Sequence, residues 1–176
     1  MPPGSFLRRL RRGRPIIVVS GLPRSGTSLA MQMLQAGGVP VASDGARAAD
    51  DSNPRGYLEL ESVKGLDRVG DHAWLAACRG RAVKVVSPLL THLPEDYDYQ
   101  VVFMRRDLDE VLASQNAMLE SRGEARGAAD ARMRAVYEEH LAQVERFVAR
   151  RDCFATLWLD YARVVASPGT EADRMA

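Results

Sequence analysis

The stretch Ile16–Leu34, IIVVSGLPRSGTSLAMQML, constrains this chain more than any other. Its consecutive β-branched residues Ile16, Ile17, Val18 and Val19 read as a strand buried on both faces. The run stops at Gly21-Leu22-Pro23-Arg24-Ser25-Gly26-Thr27-Ser28. A helical pattern follows, with Leu29, Ala30, Met33 and Leu34 on one face and Gln32 and Gln35 on the other. A strand that turns through glycines into a hydroxyl-rich helix N-terminus builds a phosphate cradle. Unpaired backbone N–H groups and the positive end of the helix dipole converge on one anion, Ser25, Thr27 and Ser28 add side-chain donors, and Arg24 adds charge. The plainer alternative is an ordinary strand-to-helix turn that happens to hold Gly, Ser and Thr.

The rest of the chain repeats the strand–helix alternation. Ile16–Ser20, Ala82–Val86, Gln100–Met104 and Phe154–Leu159 are short apolar runs without clean alternation, the pattern of strands in a parallel sheet. Thr27–Gln35, Leu108–Leu119 and Asp130–Arg150 carry helical periodicity, and a shorter helix over Glu61–Ala77, with Val63, Leu66, Val69 and Trp74 inward, is weakened by Gly65 and Gly70. The expected fold is α/β: a P-loop-like three-layer sandwich whose mostly parallel central sheet is flanked by helices. Ligands then bind outside the carboxyl ends of the strands.

At 176 residues the chain suffices for one α/β domain, expected over residues 15–176, after a basic and disordered tail at 1–14 that holds Arg8, Arg9, Arg11, Arg12 and Arg14. A net charge of +1 gives no reason to expect nucleic acid as a partner. No apolar run approaches a membrane span, and the arginines around Phe6, Leu7 and Leu10 interrupt any secretory h-region, so a cytoplasmic location is the default. Cys78 and Cys153 are far apart and outside any Cys/His cluster, which suggests neither a metal site nor a disulfide framework. Lys64 and Lys84 are the only lysines in an arginine-rich chain.

One departure and a second strand–helix junction sharpen the function. The G-x-x-x-x-G-K-[ST] loop of nucleotide kinases needs its lysine on the β- and γ-phosphates, and here Thr27 occupies that place. Downstream, the apolar strand before Arg105-Arg106-Asp107 leads into a helix that carries Ser114, eight residues after Arg106. A guanidinium forks onto a phosphate and a serine hydroxyl adds a hydrogen bond. Asp107 suits the N-cap of that helix, with Glu110 completing a capping box.

With these residues the chain resembles the sulfotransferase family, whose 5′-phosphosulfate loop has the pattern Pro-Arg/Lys-Ser-Gly-Thr-Thr/Ser matched by Pro23–Ser28. The resemblance implies 3′-phosphoadenosine 5′-phosphosulfate (PAPS) as the donor and 3′-phosphoadenosine 5′-phosphate (PAP) as product, with no metal. It places Arg24, Ser25, Gly26, Thr27 and Ser28 at the 5′ end and Arg106 and Ser114 at the 3′-phosphate. Tyr161 and the Ser167-Pro168 turn match a further family segment, and the family's usual continuation past this point leads to the expectation of a chain incomplete at its C-terminus.

The family's small-phenol branch opens the second strand with Lys-Thr-His. Here Lys84 is kept and Val86 stands at the histidine position, so that base is missing. His92 is a loop candidate, and His72 and His140 read as solvated helix positions. Asn53-Pro54-Arg55-Gly56-Tyr57-Leu58-Glu59 resembles a stretch of bacterial sulfotransferases, and other branches of the family use a glutamate from this region. Glu59 is therefore the first candidate base, then Glu61, with His92 behind them. Leu58–Glu61 is expected to start the next helix, and Glu59 could equally cap it or pair with Arg55. Lys84 would stabilise the leaving oxygen, or merely snorkel to solvent as a strand-edge lysine. The expected acceptor is a small-molecule, carbohydrate or lipid hydroxyl or amine, with Ser121–Gly127 as a mobile loop near it. A small-molecule P-loop kinase and a non-catalytic PAPS- or PAP-binding protein are the alternatives.

Overall fold

The computed structural model describes residues 12–45, 56–68, 70, 72–121, 123 and 130–176. In chain order its elements are β1 (Ile16–Gly21), α1 (Thr27–Ala36), β2 (Ala82–Lys84), α2 (Ser87–Leu90), β3 (Tyr99–Arg105), α3 (Leu108–Ser121), α4 (Asp130–Ala149), β4 (Phe154–Asp160), α5 (Tyr161–Ala166) and α6 (Pro168–Asp173). The strands form one sheet in the order β2-β1-β3-β4, and every pair is parallel. The fold is α/β, with an all-parallel sheet between two helical layers.

Alternate strand residues feed two apolar cores, which is why the strands read as unbroken runs. On one face Ile16, Val18, Val83, Tyr99, Val101 and Phe103 pack with Val144 and Val148 of α4 and with Leu75. On the other, Val19, Val102, Met104 and Leu159 pack with Ala30, Met31 and Leu34 of α1 and with Val164 of α5. Truncating a buried aromatic such as Phe103, whose ring meets Trp158 at 4.8 Å, would cost about 3–5 kcal/mol.

The segment after α1 departs from expectation. In place of one helix over Glu61–Ala77, there are two 3₁₀ turns, Glu61–Gly65 and Ala73–Cys78. Residues 56–60 are irregular, so Glu59 precedes the turn and does not start a helix. Val41 instead bridges to Ala82 at the free edge of β2. Val69, the arginines before Arg12, the residues Asn53–Arg55 and most of the expected loop after Ser121 lie outside the described residues. Arg12 donates to Asp98 Oδ1 at 3.1 Å. Among the described residues no helix is long and apolar enough to cross a membrane.

Candidate functional site

The cleft lies where the sheet's topology directs it, outside the carboxyl ends of β1, β2 and β3. It has a volume of about 490 Å³, and its walls include Arg24, Gly26, Thr27, Ser28, Tyr57, Glu59, Lys84, Val86, Arg106, Met118 and Tyr161. Most of the sequence-predicted residues meet there, although they come from five separate segments of the chain.

The floor is the β1–α1 turn. Gly26 takes the left-handed conformation (φ 99°) as the N-cap of α1, and no side chain caps the helix. The first N–H groups of a helix lack intrahelical partners, so this end of α1 presents donors and the positive dipole end to the cleft. Arg24 is one of the described non-glycine residues with positive φ, at 69°. Such a conformation is sparsely populated outside glycine and is held here by its surroundings. Ser25 is buried, and its Oγ has no hydrogen-bond partner in the structure. It packs over Gly21, where a Cβ would lie 2.4 Å from that oxygen.

One wall joins the turn to α3. Arg24 Nε donates to Ser114 Oγ at 3.0 Å, while Arg106 Nη1 donates to the Arg24 carbonyl at 3.1 Å. The guanidinium carbon of Arg106 lies 4.3 Å from the centre of the Tyr161 ring, and its Nε donates to Glu110 Oε2 at 2.8 Å. Asp107 caps α3 as expected, its Oδ1 accepting from the amides of Asp109 and Glu110. The reciprocal half of the capping box does not form, because the Glu110 carboxylate turns to Arg106.

The opposite wall holds a buried cation. Lys84 does not snorkel: it is 7% exposed and donates to Ser28 Oγ at 3.3 Å, the Tyr57 carbonyl at 3.1 Å and Glu59 Oε1 at 3.0 Å. Its ammonium also lies 5.4 Å from the Tyr57 ring centre. Among the described residues its three N–H donors have three acceptors, and the site ties the cradle helix to Glu59 through one lysine. Glu61, by contrast, points to solvent and pairs with Lys64 at 2.7 Å. His92 is exposed after α2 and is not among the cleft's lining residues. Val86 lines the cleft with an apolar side chain.

His140 differs from its expected solvated place. It is half-buried, its Nε2 lies 2.9 Å from the fully buried Ser87 Oγ, and burial lowers its pKa. Cys78 and Cys153 are free and buried, and desolvation raises both thiols. Among the described residues there is no group of three or more His, Cys, Asp or Glu side chains able to hold a metal. Sequence reasoning missed the Tyr57 carbonyl as the lysine's acceptor and Met118 as a wall residue. Met118 stands one helical turn beyond Ser114, a spacing that could have revealed it.

No family model matches the chain, and no curated protein matches it. Among solved structures it is similar to a sulfotransferase from Alicyclobacillus acidocaldarius, with 14% identity and a TM-score of 0.43 over 93% of this chain and 79% of that one. It is also similar to an uncharacterized protein from Eubacterium ventriosum ATCC 27560, with 14% identity and a TM-score of 0.34 over 92% and 99% of the two chains. Likenesses this distant carry no function with them.

Proposed function

We propose that this chain is a PAPS-dependent sulfotransferase that moves a sulfuryl group to a hydroxyl or amine acceptor. The observation that carries the reading is a single cleft bounded on one side by Arg24, which Ser114 holds from behind the lining, and Arg106, and on the other by the Lys84–Glu59 pair. Among the described residues no carboxylate lies within ion-pair distance of Arg24, which leaves its charge available to an anion. What supports a phosphosulfate there is the left-handed Gly26 at an uncapped helix end, next to the buried Ser25 hydroxyl, which has no partner among the described residues although it does not line the cleft.

In this reading Arg24, Ser25, Gly26, Thr27 and Ser28 hold the 5′-phosphosulfate, Arg106 and Ser114 the 3′-phosphate, and Tyr161 offers its ring beside them. PAPS, when bound, supplies an activated sulfuryl group on a mixed-anhydride oxygen. Glu59 takes the proton from the acceptor, and Lys84 orients that carboxylate while directing positive charge at the cradle. A lysine with all three donors engaged must give one up to reach a leaving oxygen, and the 3.3 Å contact to Ser28 is the longest of the three. A non-catalytic PAP-binding protein is the second reading, favoured by the apolar Val86 where a base could stand.

Transfer of labelled sulfate from PAPS to a panel of hydroxyl and amine acceptors separates the two. Glu59→Gln should lower kcat by about 10²–10⁴-fold with PAP affinity nearly unchanged, since size and reach are kept while basicity is lost. Normal turnover in that variant eliminates Glu59 as the base. PAP binding without transfer to any acceptor in the wild type supports the binding protein instead.

A further inference from the structure

The last two helices hold a charged cluster that takes no part in the cleft. Glu171 on α6 is 1% exposed. Its Oε1 accepts from Arg163 Nη2 of α5 at 3.1 Å, and its Oε2 accepts from Arg174 Nη1. Arg174 also donates through Nη2 to the Trp158 carbonyl of β4 at 3.2 Å. One buried carboxylate therefore ties α5, α6 and β4 together around the Ser167-Pro168 corner. Burying such a group is costly unless paired, and a pair of this kind is poor value as stability alone, since apolar residues of similar volume do as well or better. What it fixes is geometry.

The element it fixes begins with Tyr161. Asp160 caps α5 by accepting from the Arg163 amide at 3.1 Å, so the arginine that grips Glu171 lies in the same helical turn as the tyrosine. The Tyr161 ring presses on the cradle so closely that a Cβ on Gly26 would lie 2.5 Å from its Cδ2. The same ring faces the Arg106 guanidinium. Met175, just past α6, packs in the same apolar cluster as Tyr161. We infer that the Arg163–Glu171–Arg174 cluster is a positioning device that holds Tyr161 against the anion cradle, so that cradle affinity depends on a buried charge outside the cleft. This rests on the sulfotransferase reading only in its choice of PAP as ligand; inorganic pyrophosphate probes the cradle without that assumption.

A double-mutant cycle tests it, with dissociation constants for PAP and for pyrophosphate measured by calorimetry on folded protein. Glu171→Gln should weaken binding about fivefold or more, and Tyr161→Ala should weaken it too. Because the first acts through the second, the double variant should bind no worse than Tyr161→Ala alone, a coupling of the size seen between residues that share a partner. Tyr161→Phe, which keeps the ring, should stay sensitive to Glu171→Gln. Should Glu171→Gln fail to fold, Arg163→Gln removes one strut and should give a smaller loss that also vanishes in the Tyr161→Ala background. A lowered melting temperature with unchanged affinity, or fully additive losses, would show a purely structural cluster and overturn the inference. Pyrophosphate binding without PAP binding sinks the sulfotransferase reading and leaves the cycle to be read with pyrophosphate. Binding of neither removes the cradle that Tyr161 is said to serve, and the inference with it.

Discussion

At the scale of single residues, Gly26 leaves no room for a side chain at the floor of the cleft. A methyl there meets both a positive φ and the Tyr161 ring. Gly26→Ala should cost about 1 kcal/mol or more in urea unfolding and should abolish PAP binding even where the protein stays folded. An unchanged affinity would mean that Tyr161 can yield and that the cradle tolerates a side chain. His140 supports a prediction of pH dependence. Burial depresses its pKa in the folded state below the ordinary histidine value of about 6.5, so the unfolded chain binds a proton that the folded chain refuses. The stability linked to His140 is fully present above pH ~6.5 and is lost as pH falls from there through the depressed folded value. His140→Gln should flatten the slope of unfolding free energy against pH in that window, and an unchanged slope would assign the titration to another group. The solvated position expected for His140 was wrong, and the partners of both His140 and Lys84 were hidden from the sequence. Their partners, Ser87 and Glu59, are distant in the chain, and nothing local reveals a hydrogen bond across 53 or 25 positions.

Among the elements, α3 rests on a cap that its sequence announces. Asp107→Ala should lower stability by about 1 kcal/mol, since two helix amides lose their acceptor. Chemical denaturation of the two proteins measures it, and an equal midpoint would show the cap to be redundant. The four strands and three long helices were legible for a simple reason: strands covered on both faces are mostly apolar without alternation, and the helices carry a stripe. The stretch between α1 and β2 was not. Its apolar residues Val63, Leu66, Trp74 and Leu75 do face the core, but from two short 3₁₀ turns and not one helix. Gly65 and Gly70 mark the break, and the Lys84–Tyr57 hydrogen bond takes up a carbonyl just upstream. The capping box at Glu110 failed for a similar reason, because a neighbouring guanidinium offered a charged partner in place of a backbone amide.

The whole molecule is a sheet with its catalytic candidates gathered at one end, and ligand binding there should stabilise all of it. At a PAP concentration a hundredfold above its Kd the gain should be about 2.7 kcal/mol, read as a rise in melting temperature, with ATP giving little. An equal rise with ATP would favour the kinase alternative and detach Arg106 from the 3′-phosphate. The parallel order of the strands also shapes how the chain comes to exist. β1 is central, yet its two neighbours are encoded far behind it: Ile16 lies opposite Tyr99, and Val18 opposite Val83. No short hairpin can shelter it in the meantime. On a ribosome adding about 5–20 residues per second, β1 emerges before either neighbour and waits several seconds for them. During that interval it is the segment that chaperones would hold, and the cleft beyond its carboxyl end is among the last features to form.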